Sequence, residues 1–120
     1  MKRIELFERA IAEKARNLKD YGINNTMFWA YRKSMEAGND SIDFGEVIWD
    51  EDIEAITECM KENGITEFTI SSTFSSLILT LAAFEKHGFA MDGLTEVNAA
   101  YTDWQTGQRA RIPAIRMRQK

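Results

Sequence analysis

The alternation of strand-like and helix-like segments after residue 40 constrains the fold more than any other feature of this sequence. "TEFTIS" at 66–71 is typical of a strand, and "STFSSLILTLAAFEKHG" at 72–88 has the apolar content and the final glycine of a helix. Strands that alternate with covering helices require at least one parallel crossover connection. The sequence therefore predicts an α+β, or mixed α/β, architecture.

Two further helical patterns occupy the N-terminal third. Apolar residues recur at helical spacing from residue 4 onward, which predicts a helix that ends near Asp20. A second helix is expected to begin at Asn24 or Asn25, whose side chains can cap it, and to stop at Gly38.

The segment at 41–64 predicts a strand followed by a helix. Apolar and polar residues alternate in "SIDFGEVIWDED", which suits a short strand over 42–49 with a bulge at Gly45. Asp50 is then the expected N-cap of a third helix that ends before Gly64. The fourth helix, within 72–88, is expected to bury a stripe formed by Leu77, Ile78, Leu81 and Phe84.

The last thirty residues predict a β-hairpin. "LTEVNAAYTD" and "RARIPAIRMRQK" flank the loop "WQTGQ", in which Gly107 can adopt the left-handed conformation. In the closing stretch, the basic residues have odd numbers before Pro113 and even numbers after it, and the large apolar residues change in the opposite sense. A bulge at this proline would return all basic side chains to one outer face. We expect that face to carry Arg109, Arg111, Arg116 and Arg118.

Length and composition agree with one ordinary globular domain over residues 1–120. A chain of 120 residues can bury roughly two thirds of its unfolded surface in one core. Its content of 44% hydrophobic and 28% charged residues is that of a soluble protein. We therefore predict a mixed sheet of three or four strands with a C-terminal hairpin, packed against about four helices.

Charge is segregated along the chain, although the formal net charge is only −4. Residues 1–33 carry eight basic and four acidic side chains, and residues 36–67 carry eleven acidic side chains against Lys61 alone. A charge run is usually a solvated face. Eleven acids nevertheless exceed what solubility needs and repel one another, so we predict that the acidic segment faces a partner.

Residues that could perform chemistry are few. With one cysteine, Cys59, and one histidine, His87, the chain lacks ligands for a Cys/His metal site and companions for a nucleophile. We predict a protein that is not an enzyme and has no catalytic residue, metal or cofactor. One cysteine fits a reducing cytoplasm, and no segment has the pattern of a signal peptide or a membrane span, so we expect a cytoplasmic protein.

The C-terminal half, through "EFTISSTFSSLILTLAAFEKHGF" and "VNAAYTDWQTGQRARIPAIRMR", resembles a group of small single-domain bacterial proteins of unknown function. These proteins are often found with mobile genetic elements, phages included, and some small acidic proteins of that setting are anti-CRISPR inhibitors. The resemblance implies an inhibitor that binds a protein, and it brings no catalytic motif.

The leading hypothesis is a non-enzymatic protein that binds a protein partner, for which a CRISPR effector nuclease is one candidate. The side chains expected to contact that partner are Glu54, Glu58, Glu62 and Trp104. The alternative is a nucleic-acid-binding accessory protein that uses the basic C-terminal strand. Its contacts would be Arg109, Arg111, Arg116 and Arg118.

Overall fold

The computed structural model describes residues 1–120 and contains four α-helices and four β-strands. The helices are α1 (Glu5–Ala12), α2 (Asn25–Ala37), α3 (Ile53–Glu62) and α4 (Leu77–Lys86). The strands are β1 (Asp43–Phe44), β2 (Glu67–Ile70), β3 (Phe89–Thr102) and β4 (Arg109–Gln119). Short 3-10 helices at Leu18–Tyr21 and Asp50–Asp52 precede α2 and α3.

The four strands form one mixed sheet in the order β1-β2-β4-β3. β1 and β2 are parallel and are connected through α3, while β4 pairs antiparallel with both β2 and β3. The predicted α+β class, the mixed sheet and the C-terminal hairpin are therefore confirmed. β3 lies at one edge of the sheet, and the strand that ends the chain lies inside it.

The core is one cluster of twenty buried side chains that draws on every helix and on the sheet. Phe68 of β2 is fully buried at its centre. Its ring centroid lies 5.5 Å from that of Phe44, 4.9 Å from that of Phe84 and 5.4 Å from that of Phe89. Such tilted and edge-on contacts are the favourable arrangements of aromatic rings, and here they join three strands to α4.

The N-terminal helix is shorter than the sequence pattern predicts, because α1 ends at Ala12. Lys14 adopts a left-handed φ of 53°, and the backbone N–H of Ala15 donates to the carbonyl of Ala10. This is a Schellman motif, which usually contains glycine at the left-handed position. Because lysine occupies that position instead of glycine, the sequence gives no signal that the helix ends there.

Helix α2 follows the sequence prediction at both ends. The Asn24 side chain accepts a hydrogen bond of 3.0 Å from the Met27 N–H, and Gly38 ends the helix with a φ of 74°. Its inward face buries Met27, Phe28 and Tyr31.

The strand predicted over 42–49 is limited to two residues, Asp43 and Phe44. Ile42 and Ile48 are buried without extending the strand, so the alternation reflects burial in the core and not pairing. No bulge forms at Gly45, where the chain leaves the sheet. Asp50 begins a 3-10 turn and does not cap α3, so that prediction is also wrong.

Helix α4 is rotated relative to its predicted stripe. Phe84 is fully buried as expected, and Leu77 and Leu81 pack against the core. Ile78, however, is 80% exposed, and Thr80 is buried in its place. The helix is apolar nearly all round, so its pattern could not identify the inward face.

The C-terminal strand is ordered as predicted, but it has no bulge at Pro113. Residues 111–115 pair in continuous register with residues 94–98, and Pro113 lies opposite Glu96. The two register shifts lie in β3, between Met91 and Leu94 and between Asn98 and Thr102. β2 pairs only with residues 115–118, so no strand flanks the proline on its other side, which is where proline is tolerated.

The parity exchange at Pro113 arises because the two halves of β4 bury opposite faces. Ala114 is buried and Ile112 partly buried on one face, while Met117 is fully buried on the other. Since side chains alternate along an unbulged strand, the basic residues are divided between the faces. The prediction of one basic face is therefore wrong: Arg109 and Arg111 share one face, and Arg116 and Arg118 share the other.

Candidate partner-binding surfaces

A groove with a volume of about 640 Å³ lies between α2, the loop at 45–49 and the outer half of the β3-β4 hairpin. Three aromatic side chains line it and remain open to solvent: Trp29 is 48% exposed, Trp49 63% and Tyr101 61%. We name this feature the aromatic groove. Its aromatic residues come from three separate segments, so their spacing in the sequence does not predict that they share a groove.

A set of asparagine hydrogen bonds positions the hairpin wall of the aromatic groove. The Asn39 amide donates to the Asn98 carbonyl at 3.1 Å, and its oxygen accepts from the Asn98 N–H at 2.8 Å. The Asn98 amide also donates to the Ala37 carbonyl at 2.9 Å. These bonds attach the centre of β3 to the end of α2, which holds the two walls of the groove at a fixed separation.

The floor of the aromatic groove contains a carboxylate held by neutral donors. Asp43 accepts hydrogen bonds of 2.6 Å from the hydroxyls of Thr69 and Ser71. The Asp43 N–H donates to the Ser34 hydroxyl at 2.8 Å. No lysine or arginine forms an ion pair with Asp43, so the groove holds a carboxylate without a cationic partner beside its aromatic side chains.

The acidic segment at 36–67 does not form one surface. Asp43 is turned into the groove, and Asp52 accepts hydrogen bonds from Asn24 and Thr26 between α2 and α3. Glu67 pairs with Arg118 across the sheet at 2.9 Å. What remains as a continuous acidic stripe is the exposed side of α3, whose members are Glu54, Glu58 and Glu62.

The acidic stripe of α3 consists of the three glutamates that the sequence analysis proposes as partner contacts. Glu54, Glu58 and Glu62 follow one another at a spacing of four, which places them along one side of the helix. All three are exposed, and none forms an ion pair. Their charges are therefore available to a partner.

Trp104 lies at the tip of the hairpin, as the sequence predicts, with 88% of its surface exposed. The tip is held by Asp103, whose carbonyl accepts from the Gly107 N–H at 2.8 Å and whose carboxylate accepts from the Gln105 N–H at 2.8 Å. Trp104 does not fold back over the sheet. A side chain so exposed packs against neither the acidic stripe nor the core.

The four arginines of β4 are occupied with contacts inside the molecule. Arg109 donates to the Ala100 carbonyl at 3.0 Å, and Arg111 donates to the Asn98 side chain at 3.0 Å. Arg116 donates to the Asp92 carbonyl at 3.2 Å, and Arg118 pairs with Glu67 and Asp92. The hydrogen bond to Glu67, together with the charges of Asp92 and Glu67, raises the pKa of Arg118 above its ordinary value. The arginines of this strand therefore contribute hydrogen bonds and ion pairs to the sheet.

The lone cysteine and the lone histidine lie outside these surfaces. Burial, together with the charge of Glu62, raises the pKa of the Cys59 thiol, while the Asn63 amide opposes this effect. A raised pKa keeps the thiol protonated and weakly nucleophilic at neutral pH. His87 follows the last residue of α4 and serves as its C-terminal cap.

A family model for a domain of unknown function (DUF7698) matches residues 26–119, and the chain belongs to this family. Comparison with curated proteins and with solved structures gave no match. The family description assigns no activity, so the link to mobile elements stays a prediction. No helix combines the length and the apolar content needed to cross a bilayer.

Proposed function

We propose that this protein acts without catalysis, by binding a partner protein through the aromatic groove and the acidic stripe of α3. The observation that supports this proposal is the exposure of three large aromatic side chains in one groove. Exposed aromatic residues that share a concave surface are typical centres of protein interfaces, where tryptophan and tyrosine carry much of the binding energy.

The charge of the acidic stripe favours a partner that has a basic surface. Charges at the rim of an interface mainly steer association and select partners of opposite potential. A protein whose own function is to bind nucleic acid has such a basic surface, because it must neutralise phosphates. We therefore propose a nucleic-acid-handling protein as the partner, with a CRISPR effector nuclease as the candidate that the sequence resemblance suggests.

Nucleic-acid binding through β4 is the alternative proposal, and it has less structural support. A basic strand binds phosphates best when its charges lie on one face and are free of acidic neighbours. Here the arginines are divided between two faces, and Arg116 and Arg118 lie within 3.5 Å of carboxylate oxygens.

Affinity capture from a nuclease-treated host lysate tests the aromatic groove. Replacing both Trp49 and Tyr101 with alanine should weaken capture of the partner by at least about tenfold, the loss expected for central aromatic anchors. Leu79→Ala is the matched control, because Leu79 is 67% exposed on α4 and does not line the groove. Equal capture by the double variant and the control would contradict the proposal.

The acidic stripe is tested by reversing Glu54, Glu58 and Glu62 to lysine. Rim charges act through screened electrostatics, so capture should weaken most at low salt and little at high salt. Trp104→Ala, if the hairpin tip contacts the partner, should weaken capture at every salt concentration. Unchanged capture after the triple reversal would remove the acidic stripe from the interface, whereas stronger retention of nucleic acid would favour the alternative.

Inhibition of an effector nuclease is a direct test of the finer proposal. The protein should reduce target cleavage at a ratio near one to one, and the variant lacking Trp49 and Tyr101 should need a higher concentration. Undiminished cleavage with excess protein, across several effector types, would leave the partner-binding proposal standing and refute the anti-CRISPR one.

A further inference from the structure

A second cleft lies on the other side of Trp29, between α2 and the segment that joins α1 to it, and it has a volume of about 820 Å³. Four basic residues line it: Lys14, Arg16, Lys19 and Arg32. We name this feature the basic cleft. Its volume falls within the range of roughly 300–1,000 Å³ that is usual for ligand sites.

The positive charge of the basic cleft is not neutralised within the molecule. None of its four basic side chains forms an ion pair with an acidic residue. The only acidic residue that lines the cleft is Asp52, so four cations face one carboxylate. Glu13, next to Lys14 in the chain, does not line the cleft, and its carboxylate accepts the Tyr21 hydroxyl at 2.7 Å.

Backbone geometry gathers three of these cations, Lys14, Arg16 and Lys19, from one short segment, and α2 supplies Arg32. The left-handed conformation of Lys14 ends α1 and turns the chain toward α2. Asn17 then accepts a hydrogen bond of 3.0 Å from the Lys19 N–H, which caps the 3-10 helix that follows. The segment therefore presents its cations from an ordered backbone.

An exposed aromatic ring lies beside these cations. The guanidinium carbon of Arg32 lies 5.6 Å from the centroid of Trp29, which is within the distance of a cation–π contact. Trp29 lines the basic cleft and remains 48% exposed. Basic side chains along a groove, with an open aromatic ring among them, are the combination that binds single-stranded nucleic acid: the cations contact phosphates, and the ring stacks on a base.

We propose that the basic cleft binds the phosphate backbone of single-stranded nucleic acid, with Trp29 stacking on a base. This site shares Trp29 with the aromatic groove, but its four cations lie outside that groove, so it does not rest on the partner-binding function proposed above. It is also distinct from the β4 arginines, which the sequence favoured for nucleic acid. An inhibitor that contacts both a nucleic-acid-handling protein and its strand would use both surfaces.

Fluorescence anisotropy with a labelled oligothymidylate tests the proposal, using a length of about 12 nucleotides, within the roughly 4–16 nucleotides of known single-strand sites. Four phosphate contacts predict a slope of about −3 for log K against log salt, so raising salt from 50 to 200 mM should weaken binding about 50-fold. The intrinsic fluorescence of Trp29 should change on binding, and Trp29→Phe should remove that change.

The decisive variant replaces Lys14, Arg16 and Lys19 with glutamine. All three are exposed, so the fold should persist, as circular dichroism would verify. Affinity at 50 mM salt should fall more than about tenfold, and the salt slope should become shallower by about 2. The matched control replaces Arg109 and Arg111 with glutamine and should change affinity less than about twofold.

Three results would overturn the proposal. The wild-type chain would show no binding to the oligonucleotide at 50 mM salt, or affinity would fall in the β4 control and not in the cleft variant. The third is binding to vesicles that contain phosphatidylserine without binding to the oligonucleotide, which would identify the cleft as a membrane contact.

Discussion

Clusters of basic residues occur in two regions of this protein, in β4 and in the basic cleft, and the fold uses them in opposite ways. In β4 the arginine side chains bind carbonyls and carboxylates of neighbouring strands, as Arg118 does with Glu67. In the basic cleft Lys14 and its neighbours form no ion pair. Charge density in the sequence therefore does not measure the charge that is available to a ligand. The partners that the fold supplies determine that availability.

The two regions should differ most in what their side chains contribute to stability. Met117 of β4 is fully buried against the core, so Met117→Ala should lower the free energy of unfolding by about 2–5 kcal/mol. Lys19→Ala in the cleft region changes an exposed side chain and should stay within about 0.5 kcal/mol of wild type. Denaturant unfolding measures both free energies, and a similar loss in the two variants would contradict this difference between the two regions.

Tyr31 connects the N-terminal segment to α2 and should show the second largest effect. Its hydroxyl accepts from the Ile4 N–H at 3.2 Å and donates to Glu8 at 2.7 Å. Tyr31→Phe leaves that buried N–H without a partner, which should cost about 1–3 kcal/mol in unfolding free energy. Cooperative unfolding at an unchanged midpoint would show that α1 is not coupled to the core.

The same residue predicts a pH dependence. Burial, with the hydrogen bond to Glu8, raises the pKa of Tyr31 above its ordinary value of 10.0. The folded state then holds this proton more tightly than the unfolded state. The resulting stability is complete below about pH 10 and is lost as pH rises through the folded pKa. Urea unfolding above pH 10 should show a decline in wild type that is smaller in Tyr31→Phe.

Lys14 should show opposite effects on stability and on binding. A lysine in the left-handed region is strained relative to glycine, so Lys14→Gly should raise the free energy of unfolding by up to about 1 kcal/mol. The same change removes one cation from the basic cleft, so the salt slope for oligonucleotide binding should become shallower by about 0.7. Gly22→Ala, at a φ of 69°, is the reciprocal control and should destabilise the protein. If Lys14→Gly destabilised the protein, the strain interpretation would fail.

The smallest expected effect concerns Arg118. Its ion pairs with Glu67 and Asp92 are exposed, and such pairs contribute little. Arg118→Gln should lower the denaturant midpoint slightly at low salt, and the difference should vanish at high salt because the pair is screened. Arg16→Gln, which removes no ion pair, should leave the midpoint unchanged at either salt concentration.

Much of the fold could be predicted from the sequence because capping residues, glycines and alternation act between neighbouring residues. The asparagine before α2 and the glycine after it determine that helix through its own backbone geometry. The alternation in "TEFTIS" and the glycine in the hairpin loop likewise identify β2 and the turn. Errors occurred where the local signal was ambiguous, as at Lys14 and along the all-apolar α4.

The candidate sites likewise divide into those that local sequence patterns predict and those that form only when distant segments pack together. The acidic stripe of α3 follows from the spacing of Glu54, Glu58 and Glu62, and the exposed Trp104 follows from its place in a hairpin loop. The aromatic groove does not follow, because Trp29, Trp49 and Tyr101 meet only after α2, the 45–49 loop and β3 have packed. The basic cleft does not follow either, because three of its four cations belong to a segment whose pattern predicts the exposed side of one long helix, and the fourth, Arg32, lies on α2.

The fold class, the hairpin and the acidic stripe of α3 follow from local sequence patterns, because periodicity, capping residues and turn residues act over a few neighbouring positions. Which basic residues are free of ion pairs depends instead on the packed fold. Arg118 is paired because β2 brings Glu67 beside it, from 51 positions away in the chain. Lys14 has no ion pair because no element of the fold brings an acid to it. Contacts at such separations depend on strand order and register, which no local pattern encodes.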